Sequence, residues 1–181
     1  MVAEFEETRR RYKPDVIRCL LVAEAPPSEG SGRFFYFEDV SAYDSLFLET
    51  IYVLYPHNYI NTRLLRIRKR EFLERLRDDG FYLIDASETP LNTSSGSIKR
   101  KLLRNQLPSL IEKMRDLCTE ETKVILISAP VYDVCADRLL DEGFNIINED
   151  MIEFPASSWQ PEYRRKLEQL VKKHGLIAES A

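Results

Sequence analysis

Cysteine, histidine and long apolar runs are all scarce in this 181-residue chain, and each scarcity removes a class of function. The three cysteines, Cys19, Cys118 and Cys135, are widely spaced and form no C-x-x-C pair, so their number excludes a four-cysteine zinc or iron–sulfur site. Cys19 falls in a strand-like run and the other two on helical segments, which makes buried, reduced thiols the expected state. The two histidines, His57 and His174, stand far from the motif loops described below and are expected to face solvent. A histidine metal centre or a Ser-His triad therefore has no support, and no metal site is expected. No apolar run approaches the roughly 20 residues that a membrane span needs, so no membrane partner is expected. The N-terminal Met1-Val2-Ala3-Glu4-Phe5-Glu6-Glu7 is acidic and lacks the basic-then-apolar order of a secretory signal; the expectation is a cytoplasmic protein.

The formal net charge of −4 supplies no global attraction for nucleic acid. Two basic stretches stand out locally: Arg63, Arg66, Arg68, Lys69, Arg70, Arg75 and Arg77, then Lys99, Arg100, Lys101 and Arg104. Paired with Glu71, Glu74, Asp78 and Asp79 they form solvated helix faces; left unpaired they form a rim for phosphates.

What is present is the composition of one folded domain over residues 1–181, with 44% apolar and 31% charged residues. Apolar spacing and Gly/Pro punctuation predict helices over 3–12, 41–54, 69–78, 97–117, 130–142 and 161–173. Strands are expected over 16–23, 81–85, 123–128 and 144–147, with no internal repeat or long linker. Strands alternating with helices predict an α/β protein: a three-layer α/β/α sandwich around a four-stranded parallel sheet. Four loops, 24–37, 85–96, 128–131 and 148–160, leave the same edge of such a sheet, the edge where open α/β sheets bind ligands.

The stretch 17–37 is the most informative. An apolar run ends in Glu24, followed at once by Pro26, Pro27, two glycines and the cluster Phe34-Phe35-Tyr36-Phe37. A glutamate that ends a buried strand is costly to leave unpaired, so Glu24 serves a site or bonds to backbone amides of its own loop. The strand 81–85 also ends in a carboxylate, Asp85, which reads as a site residue or as the cap of the following turn.

These residues resemble the uracil-DNA glycosylase superfamily, in particular the branch whose first motif reads G-E-A-P-G and continues to T-G-R-P-F. Ala23-Glu24-Ala25-Pro26-Pro27 takes the place of the former and Ser31-Gly32-Arg33-Phe34-Phe35 that of the latter. Residues 81–92 are similar to the branch's Y-x-T-N-x-x-K-x-R-P-P, and Phe154-Pro155-Ala156-Ser157 stands where the family has H-P-S. The resemblance spans residues 15–171 and implies strand 81–85 beside 17–23, then 123–128, then 144–147.

It also implies roles. Glu24 would position water or stabilise the sugar cation, Phe35 with Pro26 would hold the base, and Asp85 and Asn92 would read its edge. Ser157 and Ser158 would touch the phosphate backbone, although the Ser-Ser-Trp-Gln-Pro sequence also reads as a helix start with Ser as N-cap. Phe35 also has a plain reading as core. Three departures bear on the chemistry. Asp85 stands for an Asn, and an ionised carboxylate only accepts hydrogen bonds. Phe154 stands for a histidine donor, whose loss costs about 3–4 kcal/mol of transition-state stabilisation. The branch's iron–sulfur cluster cannot be assembled from three cysteines, so no cofactor is expected. The implied function is DNA binding with possible excision of uracil or another altered base. The alternative is a catalytically inactive relative that binds a nucleotide, nucleic acid or protein through the same cleft. A third class, a small-molecule hydrolase, needs a nucleophile–base pair that the sequence does not offer.

Overall fold

The computed structural model describes residues 2–58 and 61–177. The chain runs α1 (Val2–Arg11), β1 (Cys19–Ala23), α2 (Ser45–Leu54), α3 (Thr62–Ile67), α4 (Lys69–Asp78), β2 (Phe81–Asp85), α5 (Gly96–Leu117), β3 (Lys123–Leu126), α6 (Ala129–Asp141), β4 (Asn145–Ile146) and α7 (Gln160–Lys173). The four strands form one parallel sheet in the order β2-β1-β3-β4. Strand β1 is central and buried at all five positions, as its unbroken apolar run requires when helices cover both faces. Helices α5 and α6 pack together, and so do α2 and α7. Right-handed crossovers place α2 on one face and α5 with α6 on the other, because the chain moves one way from β1 to β2 and the other way from β2 through β3 to β4, and α7 joins α2 by packing against it. Among the described residues no helix is long and apolar enough to cross a membrane.

Several boundaries differ from the expectation, each for a local reason. Strand β1 begins at Cys19 because the amides of Arg18 and Cys19 both donate to the Gly80 carbonyl, at 2.8 and 3.1 Å, while Val16 is 69% exposed. Helix α2 begins at Ser45 rather than at residue 41. Its N-cap Asp44 makes no capping bond, since its carboxylate is held by Arg66, with Nη2 at 2.6 Å. Helix α3 was not expected at all; the Asn61 side chain starts it by accepting from the Leu64 amide at 3.0 Å. The N-cap of α7 is Trp159 and not a serine, and Ser157 sits in the left-handed region at φ 54°.

Strand β4 has only two residues, yet β3 is not left with bare backbone. The Asn148 amide accepts from the Leu126 amide at 3.0 Å and donates to the Leu126 carbonyl at 3.1 Å, taking the place of a strand residue. Ile152 then bridges to Ile127, and its carbonyl accepts from the Ser128 amide. These bonds hold the loop that carries Phe154 against the carboxyl end of the sheet. On the other edge the Tyr36 hydroxyl accepts from the Leu83 amide at 2.7 Å and donates to the Leu83 carbonyl at 3.1 Å. That pair of bonds satisfies the free edge of β2 and pins the aromatic cluster to it.

Candidate functional site

A cavity of about 280 Å³ opens at the carboxyl ends of β1 and β2. Its walls are apolar, from Phe34, Phe35, Leu46, Phe47 and Leu83, and its polar points are Arg33, Asp44 and Asp85. Phe35 meets Phe47 edge to face, with centroids 5.6 Å apart, so two rings at nearly a right angle form one corner. Tyr43, 80% exposed, and Phe154, 39% exposed, stand at its opening, with the Arg33 guanidinium 5.3 Å from the Tyr43 ring. A hollow of about 610 Å³ at the amino ends of the strands, around Arg18, Tyr55 and Arg75, lies away from the edge where parallel sheets bind ligands.

Asp85 is buried, and its Oδ2 accepts from Arg9 Nη2 at 2.5 Å. Arg9, itself 2% exposed, also pairs with Glu6 and lies over the Phe34 ring at 5.2 Å. Burial pushes the Asp85 carboxyl up to about 6, against the opposing pull of Arg9 and Lys113. Asp85 therefore neither caps its turn nor stands free; it is half of a buried ion pair bordering the cavity.

Glu24 is placed elsewhere. Its Oε1 lies 2.5 Å from Lys99 Nζ on α5, and its Oε2 accepts from Ser128 Oγ at 3.3 Å at the start of α6. It points to the α5/α6 side of the sheet, whereas Phe35 points to the α2 side, so the two do not share a cavity. Its partners are side chains of other elements, not amides of its own loop. Pro26 is buried within that loop while Pro27 lines the cavity. Asn92 is exposed and accepts from the Ser28 hydroxyl at 3.1 Å, and Ser157 and Ser158 are exposed beyond the opening. Phe35 and Asp85 are thus brought together; Glu24, Asn92, Ser157 and Ser158 are not.

The first basic stretch is largely a solvated face: Arg68 pairs with Glu71, Arg70 with Glu74, Arg75 with Asp79 and Arg77 with Asp78. Lys69 departs from that pattern and is fully buried, its Nζ 4.5 Å from the Phe47 centroid. Of the second stretch, Lys99 pairs with Glu24 and Arg100 with Asp133. Sequence reasoning missed Arg9, Asp44 and Phe47, and it grouped Lys69 with the arginines of the first basic stretch. Only Asp44 carried a local signal, as an acidic residue in the first turn of the helix expected over 41–54.

The three cysteines are free, and burial pushes Cys19 and Cys135 up to about 12. Among the described residues no group of three His, Cys, Asp or Glu is placed to hold a metal ion. The site can enclose a flat ring, present it with aromatic faces and offer a carboxylate at its edge. No protein-family model, no curated protein and no solved structure matches the chain.

Proposed function

We propose that the protein binds DNA by taking a single nucleobase into the cavity between Phe35, Phe47 and Asp85. The observation that carries this reading is the meeting of an aromatic corner and an acceptor carboxylate at the ligand-binding end of a parallel sheet. A base turned out of a strand is held by stacking and read along its hydrogen-bonding edge, which are the two contacts these groups offer. Arg33 and Tyr43 at the opening suit the adjoining phosphate and a neighbouring base, respectively.

Binding without excision is the form of the function these groups favour. Glu24, the group on which hydrolysis would depend, is engaged by Lys99 and Ser128 outside the cavity. Phe154 at the opening has no polar hydrogen for a departing base anion.

Labelled single-stranded and double-stranded oligonucleotides carrying uracil, hypoxanthine, xanthine or no altered base test the reading by fluorescence anisotropy. Alkaline treatment of the same mixtures reveals any abasic site. The expected result is salt-dependent binding, weakened about 5- to 100-fold by Phe35→Leu, with no strand cleavage. Cleavage that is lost in Glu24→Gln would restore the excision reading. Absence of binding to every oligonucleotide at low salt would end the proposal.

A further inference from the structure

A lysine ammonium with no hydrogen-bond partner is rarely buried, because nothing returns the hydration it loses. Lys69 is such a residue. It is 0% exposed, and among the described residues its Nζ has no hydrogen-bond partner. It is the first residue of α4, where the helix dipole adds positive potential and makes a cation still less favourable. Nearby charge does not neutralise it. Asp44 attracts it, but the Asp44 carboxylate is already bound by Arg66, with Nη2 at 2.6 Å and Nε at 3.0 Å from Oδ1.

The position of Nζ ties this charge to the cavity. It lies 4.5 Å from the centroid of Phe47, and Phe47 and Asp44 both line the cavity wall. The other charged groups at that wall are already paired or compensated: Asp85 by Arg9, Asp44 by Arg66. Arg33 at the opening has no acidic partner among the described residues, so the balance inside and at the mouth is positive.

We propose that the cavity selects rings that carry negative charge, and that Lys69 sets this preference through the Phe47 ring, as a positioning residue that does not touch the ligand. The proposal rests on the base-pocket reading above and names the class of ring that the pocket takes. A ring stacked on the cavity side of Phe47 would stand about 3.5 Å from it, which places its charge roughly 8 Å from Nζ. At that separation and an effective dielectric of about 20, the attraction is worth at most about thirtyfold in affinity, and the two carboxylates of the wall, Asp44 and Asp85, each held by an arginine, leave about tenfold.

The test uses two rings of nearly equal shape, 5-nitrouracil, anionic at neutral pH, and thymine, neutral there, with dissociation constants measured by calorimetry on the whole chain. Wild-type protein is expected to bind 5-nitrouracil about tenfold more tightly than thymine. Lys69→Met is expected to bind both rings equally; a thermal melt checks that the variant is folded. In wild-type protein the preference should also fade between about pH 8, where burial has brought the Lys69 ammonium, and about pH 9, before thymine itself loses a proton. Should Lys69→Met fail to fold, this fading decides alone. Equal binding by wild type, a preference that survives Lys69→Met, or one that holds unchanged to about pH 9 would each overturn the proposal. If neither ring binds, the base-pocket reading fails and this proposal with it.

Discussion

Arg9 and Asp85, 76 positions apart in sequence, meet as a buried ion pair at 2.5 Å, and through it the first helix is tied to the end of β2 that borders the cavity. The pair is asymmetric. Arg9 has a second acceptor in Glu6, which also holds Lys113, while among the described residues Asp85 has only Arg9 as an ion-pair partner.

Removing the cation should therefore strand the acid. Arg9→Met is expected to lower stability by about 3–5 kcal/mol near neutral pH. Without Arg9 the Asp85 carboxyl rises further, because the strongest influence opposing burial is gone. Part of the loss should return on acidification to about pH 5, where Asp85 takes up a proton. Denaturant melts at about pH 5 and about pH 8 check this; an equal loss at both would count against a stranded carboxylate.

Asp85 itself should make the native state prefer acid. Its folded value, about 6, lies above the ordinary 3.8, so the folded chain holds this proton more tightly than the unfolded one. The contribution is complete below pH 3.8 and lost as pH rises through about 6. Asp85→Asn removes that titration, so its stability relative to wild type should improve over this window. A relative stability that stays flat across the window, followed by thermal melts, would contradict the assignment.

Lys69 has the opposite sign. Burial lowers its ammonium from 10.5 to about 8, so the unfolded chain holds that proton more tightly. Below about pH 8 the full cost of burying the charge applies; it is relieved as pH rises towards 10.5. Lys69→Met should stabilise the protein by about 3 kcal/mol at neutral pH, and the gain should disappear near pH 10.5. A stability gain accompanied by lost anion preference is the trade expected where a costly charge is kept for binding.

Asn148 substitutes for backbone at the end of β3. Asn148→Ala leaves the amide and carbonyl of Leu126 without partners in a buried position, at a cost of about 2–4 kcal/mol. Hydrogen exchange should quicken at the Leu126 amide, and at the Ser128 amide, which the same loop protects.

Ser128 takes φ 84° and ψ 146°, a region that side chains rarely occupy. Ser128→Gly should stabilise the chain by about 1 kcal/mol, since the hydroxyl lost is only a 3.3 Å donor to Glu24. Chemical denaturation measures it, and a clear destabilisation would mean the contact to Glu24 outweighs the backbone strain.

The sequence by itself determined the layers of this protein. Strands buried on both faces must be continuous apolar runs, and covering helices must repeat at 3.6 residues, so the runs 16–23, 81–85 and 123–128 announced the three strands that the structure holds within them through their neighbours in the chain. The shared edge of the loops followed from that alternation, and with it the placing of Phe35 and Asp85 near one another. Tertiary structure alone decided which charge meets which. Glu24 and Asp85 both end apolar strands, yet one turns to Lys99 and Ser128 and the other to Arg9. Lys69 lies in a run of exposed arginines and is the one turned inward, against Phe47. Periodicity records which face of an element is buried; it carries no information on the partner that a distant segment brings to that face.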